Sequence, residues 1–485
     1  VNARAGLSSV LADHVATTRL VSPAVLRGTA RSLLDAVGVS LGASGAAEGC
    51  AAFVRLAEES DGSGPSRVLG TPFRVVPSLA ALANGAFAHA LDYEDAHDVA
   101  MVHPHAAPVA TALALADALA RRHPPRVVSG PELLAAVAVG ADLVCRLGLV
   151  LTRAADERGW YPPPILGALG AAVTASHLLE LPAPKVRDAL SLVTCQATCF
   201  GELKRSPHSD VRAVRDAFAA QGGALAGLLA AEGVRGFDQP LEGDAGVIAQ
   251  YAGRPVDPSP VLEGLGERFL GIEVSFKPWP SCRGTHAFVH AALRVREELG
   301  GQLPVSVTLT GGPENLMLVE PSSQKVEPAT AIDAQFSLPF CVATALARGR
   351  LELADFGPSA RRDPEVLALA RRISYQLEPG AAAGSVWAKV TARLASGVTL
   401  ERVVDQVPGH PDLPLDDRAL VDKFVSCAAL AAWPLGQEQA RDLAGRLLGL
   451  PQEPDALAAF DGMVGGPLAG RDPEATGTVT RGGER

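Results

Sequence analysis

From about residue 10 to residue 265 the apolar side chains of this sequence recur at spacings of three and four rather than two, and alanine and leucine dominate them. That period lines up one face of a helix, and the residues that fill it are strong helix formers. So long a run, interrupted only by Gly/Pro turns, leaves little room for a sheet and predicts an all-α domain. Individual helices are expected over Ser78–Ala90, with Ser78 as N-cap, and over Pro108–Arg121, Glu132–Leu147, Ile165–Leu179 and Val214–Glu232.

After about Gly271 the pattern changes. Val305-Ser306-Val307-Thr308-Leu309-Thr310 alternates at period two, as do Val386, Ala388, Val390, Ala392 and Leu394. Ser396-Gly397 then leads into Val398 and Leu400, a hairpin signal. Helices resume at Asp416 and continue past Phe460. The expected organisation is an all-α domain over 1–268, an α+β domain over 269–407 and C-terminal helices over 408–465 that return to the helical domain. A polar, glycine-rich tail over 466–485 is expected to be disordered. The fold class is mainly α.

Composition narrows the function classes. A chain of 485 residues, 48% of them hydrophobic, is too long for one simple core. Its net charge of -10 argues against nucleic acid as the main partner. Asp142 and Arg146 interrupt the best apolar run before it reaches the roughly eighteen residues of a membrane span, so no span is expected. Val1–Ser9 carries no basic stretch ahead of an apolar core, so no secretion signal is visible. The seven cysteines are scattered and form no CxxC pair, although Cys195 and Cys199 lie four apart. They read as reduced thiols of a cytoplasmic protein rather than disulfides or zinc ligands. The glycine-rich pieces fall within or between helices, so no dinucleotide or phosphate-cradling loop is expected.

Two segments concentrate chemistry. Phe276-Lys277-Pro278-Trp279-Pro280-Ser281-Cys282-Arg283-Gly284-Thr285-His286 precedes an apolar helical run, Ala287 to Leu293. Its prolines hold Lys277 and Trp279 extended, and a helix starting near Thr285 turns its free N–H groups toward the space of Lys277 and Arg283. That arrangement suits a carboxylate or phosphate. Cys282, between these cations, is expected to pack the loop rather than act as a nucleophile. The second segment, Leu91-Asp92-Tyr93-Glu94-Asp95-Ala96-His97-Asp98 with His103-Pro104-His105, holds four carboxylates and three imidazoles for acid–base work. Hard-metal loops space their oxygens regularly around a glycine turn, which is missing here, so no metal is expected. His97 and His105 are read as holding the loop together. His14, His123, His177 and His410 are read as surface or helix-face residues, and Glu202–His208 as a surface linker.

These segments make the chain resemble the MmgE/PrpD family. Leu91–His97 with His103-Pro104 is similar to that family's LDxDDTH…HP element, and Lys277–His286 to KPYPxCRxTH. Asp333-Ala334-Gln335-Phe336-Ser337-Leu338-Pro339-Phe340 is similar to DAxFSLPY, and Lys423-Phe424 with Cys427 to a KFxxC step. The four occur in family order, and the resemblance covers nearly the whole chain up to about residue 450. It implies a large helical domain with an inserted α+β lid and an active site in the cleft between them. It also implies a homodimer, with neither metal nor organic cofactor; charge and hydropathy, as above, leave no nucleic-acid or membrane partner expected. Carried over, Asp92 and His103 match active-site positions on the helical side, and Lys277, Arg283 and His286 match those on the lid. The substrates implied are small di- or tricarboxylates.

The departures fall at the site. Where the family has Gly-Phe-His-Pro-Thr, this chain has Gly159-Trp160-Tyr161-Pro162-Pro163, so Tyr161 replaces a proton-transfer histidine. An ordinary phenol, with a pKa of about 10, is a poor base at neutral pH unless a cation lowers it. Phe340 replaces the tyrosine of DAxFSLPY, Ala96 replaces a threonine, and a family lysine becomes Arg212 or Arg215. The expected catalytic set is Asp92, His103, Tyr161, Lys277 and His286, with Arg283, Arg212, Arg215, Cys282 and Phe340 contacting substrate. The reaction expected first is a cofactor-independent, dehydratase-like lyase step that removes a proton next to a carboxylate. Epimerisation or decarboxylation, as elsewhere in the family, and a non-catalytic anion- or protein-binding descendant are the alternatives.

Overall fold

Ser129 opens the longest helix, Gly130–Glu157, through a capping box. Its hydroxyl accepts from Glu132 N at 3.3 Å, and its own N–H donates to Glu132 Oε2 at 2.8 Å. The computed structural model describes residues 6–206, 208–378 and 387–463. Val386 and the glycine-rich C-terminal segment lie outside them. Helices make up 57% of the structure and strands 7%, which places it in the mainly α class.

Small residues let the helices approach closely. Gly130–Glu157 packs on Pro162–Leu178 with backbones nearly touching: a Cβ at Gly140 would lie 2.7 Å from Gly170 O. Gly130–Glu157 is apolar and long enough to cross a bilayer, yet 89% of its most apolar window is buried inside the fold. Its Asp142 and Arg146 pair at 2.6 Å, and Arg146 also caps the carbonyls of Val261, Glu263 and Arg268. The charges that break the apolar run are therefore core hydrogen-bonding groups.

The predicted helices are present with shifted ends, and proline explains the starts. Pro77–His89 has Val76 rather than Ser78 as its N-cap, and Pro162–Leu178 begins with three consecutive prolines. Proline suits the first turn, where its missing N–H has no partner to lose. Gly130–Glu157 runs ten residues past Leu147 because Gly148 is not a cap. It is a contact point where a Cβ would meet the Ala100 side chain at 2.9 Å. The run expected over Val214–Glu232 is divided into Val211–Val214 and Asp216–Ala231.

Strands β1 (Ser66–Arg67) and β2 (Arg74–Val75) form a small antiparallel ribbon. β3 (Ser306–Gly311), β4 (Ile373–Leu377), β5 (Ala388–Arg393) and β6 (Thr399–Val404) form one sheet in the order β4-β3-β5-β6. β5 and β6 are the hairpin read from the sequence, with Gly397 at φ 87° in its turn. β4, parallel to β3, was not legible, because it is a largely exposed edge strand with no continuous apolar face. Val307, Leu309, Val390 and Ala392 are buried, and helix His286–Glu298 packs against β5 and β6.

The C-terminal helix Asp417–Ala428 lies along Pro23–Ala46, where Gly38 and Gly42 make room for Phe424 and Cys427.

Candidate active site

Helix Pro77–His89 ends in a turn closed by Asp92 N donating to His89 O at 2.7 Å, with Asp92 at φ 45°. Glycine or asparagine usually fills such a left-handed position. An aspartate there throws the loop sharply across the helix end and buries its own carboxylate. The loop is then tied to the segment before Lys277. Ala96 and Ser275 exchange backbone hydrogen bonds at 3.0 and 2.7 Å, and on the other side Phe276 N donates to Gly409 O at 2.9 Å. This pairing delivers the Lys277 ammonium to Asp92, 2.8 Å from both Oδ1 and the backbone carbonyl. Burial works against the Lys277 charge, but Asp92 and Glu94 outweigh it and raise its pKa, so it stays an ammonium.

Glu94 is the centre of the acid–base group. Its Oε1 receives His89 Nδ1 and lies 2.9 Å from His103 Nδ1, and the two imidazoles sit edge to face at 5.0 Å. Burial alone would raise the Glu94 carboxyl, but His89, His103 and then Lys277 hold it well below the usual range. His103 Nδ1 also lies 3.1 Å from Asp95 O. With two acceptors at Nδ1, the hydrogen belongs there and the Nε2 lone pair is left free. His103 keeps 15% of its side chain exposed, whereas His89 and Glu94 are fully buried. Of this group, His103 can exchange protons with solvent or a ligand.

His89, Asp92, Glu94 and His103 offer atoms within 4.8 Å of one another, a donor set of the kind divalent metals accept. Glu94 Oε1 takes both imidazoles and Asp92 Oδ1 takes Lys277, while His89 Nε2, Asp92 Oδ2 and Glu94 Oε2 are buried without a hydrogen-bond partner among the described residues. A dication there would stand beside the Lys277 ammonium that Asp92 already holds.

Two arginines, Arg212 and Arg215, are buried nearby, and Arg215 is close enough to His89, Asp92 and Glu94 for their charges to act on one another. The Arg212 guanidinium lies flat on the Phe336 ring, 3.4 Å from its centroid, and Arg215 donates from Nη1 to Arg212 O at 3.0 Å. They stand 6.0 and 5.0 Å from the Tyr161 ring centroid. In each, Nε and Nη2 are buried without a hydrogen-bond partner among the described residues. The carboxylate nearest Arg215, Asp216, is 3.6 Å from Nε, too far for a hydrogen bond. Nε and Nη2 form the side of a guanidinium that takes a carboxylate in bidentate fashion. A cleft of 520 Å³, lined by Pro164, Cys199, Phe200, Leu203 and Phe218 among others, reaches Arg215 from the surface.

The remaining sequence candidates are taken up by other groups of the protein. Arg283, expected to face an anion, is held by Asp98 at 3.0 Å and by Ser275 Oγ at 3.1 Å. His286 donates from Nε2 to Ser281 O at 3.1 Å and stacks edge-on against Trp279 at 5.3 Å. Burial, then Arg283 and Lys277, hold His286 neutral. Burial and Asp92 push the Cys282 thiol up against the pull of Lys277 and Arg212, and its backbone N–H donates to Gln335 O at 3.0 Å. Phe340 is fully buried 6.0 Å from Phe356, in the core beneath the site rather than on its polar wall. His97 accepts from Ala100 N at 3.0 Å, and His105 lies 2.6 Å from Asp95. His177 is buried, not a surface residue, with Nε2 2.6 Å from Thr18 O.

Comparison with known proteins matches two consecutive stretches of the chain. The MmgE/PrpD N-terminal domain matches residues 9–258, and the MmgE/PrpD C-terminal domain matches residues 279–445. The chain belongs to the MmgE/PrpD family. It is an enzyme of that type. It is 28% identical over 376 residues to cis-aconitate decarboxylase of Homo sapiens, covering 76% of each chain. It is 27% identical over 413 residues to cis-aconitate decarboxylase of Mus musculus, covering 82% of each. A cis-aconitate decarboxylase-like protein of Aspergillus oryzae is 26% identical over 429 residues, 84% of this chain and 87% of the relative.

Three residues of this MmgE/PrpD enzyme stand in or beside the site without having been singled out as site residues in the sequence. His89 reads as a helix residue, and only its spacing of five from Glu94 hints at the contact. Lys325 lies in a short polar helix, Ser322–Val326, that no pattern marks. Lys423 sits in the KFxxC step. It pairs with Asp35 at 2.7 Å and donates to Tyr93 O at 2.6 Å and Lys277 O at 3.1 Å.

Proposed function

We propose that this enzyme is a cofactor-independent lyase that decarboxylates a small polycarboxylate of the cis-aconitate type. The observation that carries the reading is the pair of buried Nε/Nη2 edges of Arg212 and Arg215, unpartnered among the described residues, with Arg215 in electrostatic reach of His89, Asp92 and Glu94. Two bidentate seats hold the two carboxylates that remain after the reaction. The third carboxylate then lies toward Asp92 and Glu94, where negative charge disfavours the carboxylate and favours its departure as neutral CO2. The bond to that carboxylate breaks, its electron pair becomes a new double bond, and the old double bond takes a proton at its far carbon. His103 delivers this proton from Nε2 as an imidazolium, and Glu94 at Nδ1 orients the ring and supports its charge. Solvent at the exposed edge of His103 restores the proton. Tyr161, between the two arginines, packs the substrate backbone or donates a hydrogen bond to it.

Dehydration and epimerisation begin at the same atom, with His103 Nε2 as base. The three relatives named above favour decarboxylation. The test is incubation with cis-aconitate in deuterated water. The expected outcome is CO2 release with one solvent deuteron placed on carbon per turnover. Hydration or dehydration of citrate-like acids without CO2 would replace this reading with the dehydratase one.

A further inference from the structure

Around the two arginines lies one more buried cation that the reading above does not use. Lys325 is 4% exposed, and its ammonium makes a single hydrogen bond among the described residues, to Phe336 O at 2.8 Å. Phe336 is also the residue whose ring carries the Arg212 guanidinium. The two positive groups therefore converge on the same residue from its backbone and its ring. Neither forms an ion pair within 4.0 Å among the described residues. The charged and titratable groups around Lys325 are Arg212, Asp333, Cys282 and Cys341. Asp333, the one carboxylate among them, stands beyond ion-pair distance. Taking a cation out of water without a counter-charge costs several kcal/mol, and two such cations side by side repel each other. The site is short of negative charge at this point.

We propose that Lys325 completes the Arg212 seat, so that one substrate carboxylate is held by a guanidinium edge and an ammonium together. The proposal rests on the carboxylate seats described above. It accounts for the lysine's burial, its spare N–H groups and its place beside Arg212. Burial and Arg212 lower the Lys325 pKa to about 8. A carboxylate arriving there restores the charged form, so ligand binding above that pH takes up a proton.

The test uses propane-1,2,3-tricarboxylate, which has no double bond to rearrange, and glutarate as the dicarboxylate. Calorimetry at pH 8.5, in buffers of different ionisation enthalpy, reads affinity and proton uptake together. For the parent we expect both acids to bind, with partial proton uptake. Lys325→Met should weaken both acids about 30-fold or more and should abolish the uptake. Lys325→Arg keeps the charge and should stay within about fivefold of the parent, again without uptake. Melting of the empty Lys325→Met protein should not fall, because an uncompensated buried charge has been removed. If Lys325→Met leaves the affinity for both acids and the proton uptake unchanged, the proposal is overturned and the arginine seats stand. If the parent binds neither acid, the carboxylate seats fail and Lys325 fails with them.

Discussion

Two sets of cations meet at this site, and the protein treats them in opposite ways. Lys277, Arg283 and Lys423 each have a carboxylate within 3.0 Å: Asp92, Asp98 and Asp35 respectively. Among the described residues Arg212 and Lys325 have none, and Arg215 has only Asp216 at 3.6 Å. The paired set ties loops together, since each of its members bridges segments more than a hundred residues apart. The unpaired set is held by ring stacking and backbone contacts that leave charge over. A motif rich in lysine and arginine thus says that cations are fixed in place. Which of them is left for a ligand depends on carboxylates elsewhere in the chain.

The strongest test is at the His103–Glu94 group. His103→Ala should lower turnover by about 10²- to 10⁴-fold with little change in melting temperature. Full turnover in this variant would detach the acid–base group from the chemistry and leave the two cation sets without a reacting centre. Next in size, Arg212→Met should reduce kcat/KM about a hundredfold. Arg283→Met should instead lower the melting temperature while KM stays within about fivefold. A KM rise at Arg283 equal to that at Arg212 would erase the distinction between the sets.

A smaller effect follows from the neutral histidines. Burial lowers the pKa of His89, His97, His177 and His286 below the ordinary value. The unfolded chain takes up these protons near pH 6.5 while the folded one does not, so stability is present above that pH and lost as pH falls below it. Burial raises Asp35 to about 6, against the pull of Lys423. Asp35 acts with the opposite sign, adding stability as pH falls from about 6 toward 4, so it offsets part of the loss. Melting should drop by roughly 5 °C or more between pH 7.5 and pH 5. A flat profile over that range would contradict the neutral state of the histidines. The smallest effect expected is none: prolonged chelation should leave turnover unchanged. Activity lost in EDTA and restored by one divalent ion would give His89, Asp92, Glu94 and His103 to a metal.

The helical class, the β5–β6 hairpin and the loop bearing Asp92 and His103 were legible because each rests on local pattern or a short motif. Helix starts were misplaced where proline, read as a breaker, opens the first turn instead, as at Pro77 and Pro162. Edge strand β4 escaped because most of its side chains face solvent and its burial is set by partners far along the chain. In the site, Arg212 and Arg215 were named together, and only three-dimensional contacts show that both present free edges. Arg283 was given to the ligand because the loop alone cannot reveal that Asp98, 185 residues away, pairs with it. Lys325 and His89 carry no local signal: a buried lysine and an exposed one have the same letter.

Lys423 has a consequence that concerns time. Its hydrogen bond to Tyr93 O joins residues 330 positions apart, and the same ammonium also holds the backbone at Lys277 and the carboxylate of Asp35. During synthesis the N-terminal helices can collapse well before this residue leaves the ribosome. The loop that carries Asp92 and Glu94 lacks its anchor until then. The nascent enzyme is thus a helical scaffold with an unfinished site, and it becomes competent only once helix Asp417–Ala428 has been translated.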